Sequence, residues 1–340
     1  MNLLKAIMSS AVVLALVIGV AAQQKAPLKL VHATPLPELH DGDFDHLIAD
    51  VAGNRLFVTA EENSKVLIFD LKTGKLIHTI DDVKAPHSLL YRADLKKLFV
   101  VDSDLGEVKI YETDSYKSAG SIKVRDGADA SGYDASSKLF YIVNGGKDAK
   151  LPNAFISVID VESGKTLADI KIDSDDVEGV AFEKSGPRMF VNVRGKNAVE
   201  VYDRTDRTLK ATWSVAQEGK NPTSMAFDES ARRLLLGTRV PGKLVVMDSD
   251  SGKIVTSYPA AAMVDDMAFD AASNRIYFAG SEFLDVFLQK NADTYERIGH
   301  IATSFRAKTG VLVPELNRFY LAVPHHEKQT AELRVYEVIP

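Results

Sequence analysis

The sequence predicts an all-β fold: a seven-bladed β-propeller of four-stranded antiparallel blades, its ring closed by an N-terminal strand. Two observations carry that expectation. The first is an apolar triplet that recurs seven times, as Leu56-Phe57-Val58, Leu98-Phe99-Val100, Leu139-Phe140-Tyr141, Met189-Phe190-Val191, Leu234-Leu235-Leu236, Ile276-Tyr277-Phe278 and Phe319-Tyr320-Leu321. The steps between first residues are 42, 41, 50, 45, 42 and 43, and a period in the forties with strand-like punctuation is the mark of propeller blades. The second is that the last repeat ends one strand short, while a spare strand precedes the first.

At the N-terminus, Lys5 leads into the apolar stretch Ala6 to Val20, and Val20-Ala21-Ala22 supplies small residues for cleavage before Gln23. Residues 1–22 therefore read as a secretory signal, too short for a comfortable membrane span. The expected location is the periplasm or the cell exterior, with no membrane span after cleavage. The chain has no cysteine, which excludes disulfides, thiolate metal sites, a cysteine nucleophile and a cysteine-linked lipid anchor. Leu28-Lys29-Leu30-Val31-His32 is the spare strand, placed to complete blade seven and remove an exposed sheet edge.

Blade one sets the pattern. His46-Leu47-Ile48-Ala49 opens it, Gly53-Asn54 turns the chain, and Leu56-Phe57-Val58-Thr59 is the second strand. Val66-Leu67-Ile68-Phe69 is the third, and Leu76 to Ile80 the fourth. The runs are continuously apolar because stacked blades bury both faces of each sheet. Between third and fourth strands, Asp70 to Lys75, Asp160 to Lys165 and Asp248 to Lys253 pair an aspartate with a later glycine, the chemistry of a tight turn. Their Ser-Gly-Lys runs are not phosphate loops, since the upstream glycine and following helix are missing. The blades fall near 45–80, 87–122, 129–172, 177–215, 223–258, 265–301 and 304–340, within one domain spanning 28–340.

These units resemble the YVTN-repeat, YncE-like β-propeller family. Phe57-Val58-Thr59-Ala60, Tyr141-Ile142-Val143-Asn144 and Phe190-Val191-Asn192 stand where that family's naming tetrapeptide falls. Val66 to Asp70 followed by Thr73-Gly74-Lys75 is similar to its continuation, while blades two, four and six depart from the Thr-Gly-Lys turn. The resemblance covers Leu28 to Pro340 and implies a fold more than an activity.

Charge bounds the partners. The net charge is −6, with 41 basic and 47 acidic residues well mixed, so no nucleic-acid footprint is expected. No Gly-x-Ser-x-Gly elbow, His-Glu-x-x-His pair or haem-attachment motif occurs. His40 to His46 opens like an EF-hand loop but has His46 where glycine is needed and Ala52 where a bidentate glutamate is needed. Trp213, the single tryptophan, falls in a fourth strand and reads as packing.

In a propeller, the loops entering first strands and those joining second to third strands share one face. In register, the units place Asp45, His87, Asp129, Glu178, Thr223, Asp265 and Lys308 just before the inner strands. The next column reads His46, Ser88, Ala130, Gly179, Ser224, Asp266 and Thr309. Clustered carboxylates and imidazoles suit a divalent cation, with Asp45, His46, His87, Asp129 and Glu178 the candidate ligands. In any propeller, however, the channel mouth is wet and polar. Around it, the loops at 144–150, 192–196, 237–242 and 324–328 are more basic, and Arg194 with Arg239 would clamp an anionic group. The candidate ligand-binding set is thus His46, His87, Asp129, Glu178, Asp266, Arg194, Arg239 and Lys308, an acidic inner ring within a basic outer one.

The expected function is a ligand- or protein-binding module acting through the channel-mouth face, as a monomer, on a small polar ligand or a protein partner. The alternative is a metal-dependent hydrolase or lyase of the lactonase type, whose divalent cation would sit on the axial carboxylates and histidines. A role beside propeller-bearing dehydrogenases in electron transfer lacks any cofactor motif here.

Overall fold

The computed structural model describes residues 26–340; the expected signal segment lies outside them. Seven four-stranded antiparallel sheets form among the described residues. Blade one runs Leu47–Asp50, Arg55–Ala60, Lys65–Asp70, Leu76–Ile80 from channel to rim. Blades two to six repeat this order in sequence. Blade seven contributes Thr309–Val313, Arg318–Val323 and Glu332–Val338, and its outer strand is Leu28–Pro35 from the other end of the chain. Leu28 pairs with Val338 and Pro35 with Glu332, so the spare strand closes the ring as the sequence implies. No helix among these residues is long and apolar enough to cross a membrane.

Each apolar triplet lies in a second strand, and its residues face opposite ways. Leu56 and Val58 pack with Tyr320 and Leu333 of blade seven, while Phe57 packs with Leu98 and Val100 of blade two. Seven such layers fill the spaces between blades. In the last, Tyr277 stacks on Phe319 with ring centroids 5.8 Å apart. Truncating a ring buried like Phe319 costs about 3–5 kcal/mol, so the triplets are where the stability of the ring resides.

The aspartate–glycine turns form as read. The Asp70 carboxylate accepts from the Thr73 amide and hydroxyl, and the Gly74 amide donates to the Asp70 carbonyl at 2.8 Å, with φ of +68° at Gly74. Blades two and four lack the glycine yet make the same turn. Tyr116 (φ +55°) and Arg207 (φ +60°) take the left-handed position instead, at a cost of roughly 1–2 kcal/mol each. Trp213 packs beside Phe190 at the outer strand of blade four.

First strands ring the channel: Leu47–Asp50, Pro86–Arg92, Ser131–Asp134, Val180–Phe182, Lys220–Asp228, Asp266–Asp270 and Thr309–Val313. The residues just before them collect at one mouth.

Candidate functional site

Side chains of the entering loops meet those of the loops after second strands, so the two loop sets do share a face. Glu178 enters blade four and pairs with Arg194 from that blade's next loop. Asp265 enters blade six and pairs with Arg239 of blade five. The basic residues therefore do not stand outside an acidic ring as the sequence suggested; they reach inward and interleave with it. The reason is desolvation. Side chains of Glu178 and Asp265 are only 14% and 9% exposed, and a carboxylate so placed needs a cation beside it. Arg194 also approaches Asp176 at 3.4 Å, and the Arg239 Nε donates to the Val264 carbonyl.

Lys308 holds the next link, with Nζ 2.6 Å from Asp265 and 3.4 Å from Asp43. Burial disfavours its ammonium, yet Asp265 and Asp43 more than compensate and raise its pKa. Arg306 ties the acidic entry loop of blade one, lying 2.6 Å from Asp43, 3.1 Å from Asp41 and 3.3 Å from Glu62. The loop that opens like an EF-hand is thus held by an arginine of blade seven.

Across the channel, His46 Nδ1 donates to Asp266 at 3.1 Å, and the other Asp266 oxygen accepts from the Gly310 amide at 2.8 Å. His87 Nδ1 donates to Asp45 at 2.7 Å and lies 3.2 Å from Asp129. His87 Nε2 is 3.6 Å from Glu61, a residue the repeat alignment does not single out. Glu61 sits in the short turn Glu61–Asn63 after a second strand, where sequence register is lost.

Burial and neighbours set opposite proton affinities around the ring. For His46, burial opposes the charged form, but Asp45 and Asp266 prevail and raise its pKa well above the usual value. His87 is raised likewise, by Asp129 and Asp45 against burial. Asp45 is held far below the ordinary carboxylate range by the two histidines, in spite of its burial. Burial first, then Asp129, pushes the Glu178 carboxyl up to about 8 against the pull of Arg194. Burial pushes Glu61 up to about 7, and it raises Asp266 also. Carboxyls driven apart in this way single out the mouth as a candidate functional site.

Two hollows adjoin the ring. An axial cavity of about 140 Å³ is lined by His46, Ser131, Glu178, Thr223, Asp265 and Asp266, among others. A groove of about 320 Å³ runs along blades one to three past Glu61, His87, Ser103, Asp129, Lys147 and Asp148. The eight candidate ligand-binding residues named from the sequence, with Asp45 from the candidate metal set, thus fall at one mouth. They divide between an Asp45–His87–Asp129 grouping, whose ligand atoms lie within 4.8 Å of one another, and the salt-bridged remainder. His46 and Glu178, also expected as metal ligands, are instead engaged with Asp266 and Arg194.

Seven stacked blades around a channel with a charged mouth define the class, a β-propeller with a polar axial site. Within it, the chain belongs to the YNCE-like β-propeller family, whose profile matches residues 38–282. No curated protein matches the sequence. A solved chain from the "Crystal Structure of Mitotic Checkpoint Complex" superposes with a TM-score of 0.74, covering 100% of this chain and 99% of that one at 15% identity. At that identity the likeness shows the fold alone.

Proposed function

We propose that this propeller is an exported binding module that takes a small polar ligand, bearing amine or hydroxyl groups, in the axial cavity at the channel mouth. One observation carries the reading: the cavity wall combines Glu178, Asp265 and Asp266 with His46 and the hydroxyl-bearing Ser131 and Thr223. The blades do not need these groups for packing, because the apolar layers supply the core. Buried charge is costly, and its concentration at one end of a channel suits a ligand of complementary polarity. Export is supported by the leader-like residues 1–22, and a protein partner would reach the same face through its polar side chains.

A thermal-shift panel of polyamines, amino acids and sugars on the chain from Gln23 onward tests this. A ligand should raise the melting temperature of the wild type and lose that effect in Asp266→Asn and Glu178→Gln. A shift that persists in both variants would place the ligand elsewhere and defeat the reading.

A further inference from the structure

We propose that Asp45, His87 and Asp129 form a site for one divalent transition-metal cation, open to the groove along blades one to three; this rests on the mouth being a binding face. Each residue comes from a different blade and from the same column of the repeat: Asp45 and Asp129 stand two residues before their first strands, and His87 is the second residue of its own. The grouping differs from the rest of the ring in one respect. Glu178 has Arg194, and Asp265 has both Arg239 and Lys308. By contrast, Asp45, Asp129 and Glu61 all converge on the single imidazole of His87, at 2.7, 3.2 and 3.6 Å. Among the described residues, none of these three carboxylates has a lysine or arginine nitrogen within 4.0 Å.

His87 Nδ1 faces both Asp45, at 2.7 Å, and Asp129, at 3.2 Å, so its one N–H is shared between two carboxylates. Asp45 is 8% exposed, and its second oxygen finds only His46 Nε2 at 3.6 Å, too long for a hydrogen bond. Three carboxylates thus share the one imidazole of His87, with His46 standing beside Asp45 alone, and a divalent ion would bring more charge to oxygens already gathered. The groove of about 320 Å³ passes His87 and Asp129, leaving access for an ion and room for its remaining ligands.

The donor set selects the ion. Two carboxylates and an imidazole suit zinc, manganese or another first-row divalent cation. Calcium, which prefers six to eight oxygens, gains little from the imidazole. Glu61 lies on the Nε2 side of the same ring, 3.6 Å away, and is not one of the three gathered donors. A histidine nitrogen must be free of its proton to ligate.

Calorimetry on the chain from Gln23 onward, stripped with chelator and titrated with ZnCl2, MnCl2, CaCl2 and MgCl2, tests the site. The expected result is one equivalent of zinc or manganese bound more tightly than calcium or magnesium. His87→Gln and Asp129→Asn should weaken binding by roughly 100-fold or more, since even loss of a group that merely orients a ligand costs 10–100-fold. Asp114→Asn, in an exposed turn of blade two where it pairs with Lys96, should bind the ion as the wild type does. The Co2+-loaded protein should show d–d absorption bands that His87→Gln abolishes, with circular dichroism confirming that the variant is folded. No binding tighter than millimolar, or binding unchanged in both triad variants, overturns the proposal. The two readings separate cleanly: a polyamine or sugar shift without metal binding defeats the triad alone, and metal binding without that shift defeats the axial-cavity reading alone.

Discussion

Replacing Asp265 by asparagine removes the one anion shared by Lys308 and Arg239. Its distance to Lys308 is 2.6 Å, and Coulomb's law at an effective dielectric of about 20 gives roughly 6 kcal/mol for such a contact before desolvation. Desolvation of the two groups offsets part of that gain. Removing one partner of a buried pair nevertheless costs about 3–5 kcal/mol, because the other charge stays behind. Asp265→Asn leaves two cations facing each other, with Lys308 retaining only Asp43 at 3.4 Å. Arg239→Met leaves Asp265 still neutralised by Lys308, so it should cost less, about 2 kcal/mol or below. The double variant should be milder than the sum of the two, with an interaction energy on the order of 1–3 kcal/mol. Urea unfolding followed by circular dichroism, read as midpoint shifts at constant slope, measures all three. Strict additivity, or a loss under about 1 kcal/mol for Asp265→Asn, would show that this carboxylate does not hold the two cations together.

Other outcomes follow from the same structure. Glu178, with its pKa pushed up to about 8 from an ordinary 4.5, keeps a proton in the folded state that the unfolded chain releases, so its contribution fades as pH rises between those values. His46 and His87, both raised above 6.5, add stability that is complete below that value and is lost as pH climbs through their folded-state pKa values. Melting temperature should therefore fall as pH rises from about 5, with the histidines adding to the fall above about 6.5, and Glu178→Gln should flatten it between 4.5 and about 8; equal slopes for both proteins would contradict this. Gly252→Ala should destabilise by about 1–3 kcal/mol, since φ there is +71° and the new Cβ would collide with the Trp213 indole. The emission of that single tryptophan should shift with it, and an unchanged melting temperature would count against the contact. Deleting Leu28–Pro35 should bare the Glu332–Val338 edge and produce concentration-dependent association in light scattering; a monodisperse monomer would argue that the edge needs no cover.

The ring was legible because a repeat encodes its own register. Once Leu56 and Leu98 are seen as equivalent, every second strand is located, and Asp70-to-Lys75 marks a turn that Asp160 and Asp248 repeat. The closing strand was legible by subtraction, although it extends to Pro35 rather than stopping at His32. The mouth was legible as a column of residues and not as a set of contacts. Nothing in the spacing says that His46 reaches Asp266, 220 positions away, because that depends on channel width and side-chain rotamers. The same limit made Arg194 and Arg239 look available to a ligand, when buried carboxylates within reach had first claim on them. Glu61 and Arg306 were missed because they lie in loops of unequal length, where alignment on the strands gives no guide.

The closure has a mechanical consequence as well. Leu28 lies opposite Val338, so the start of the first strand and the end of the last emerge side by side at one end of an antiparallel pair. Tension applied through these two points loads the rungs between Leu28–Pro35 and Glu332–Val338 one after another, like a zip, rather than all at once in shear. The ring should open at low force at this seam while the other six blades, each a single stretch of chain, remain folded. Force spectroscopy with handles at both points would show a small early release of contour length before any larger event. Handles placed within one blade on opposite ends of neighbouring strands should meet far greater resistance.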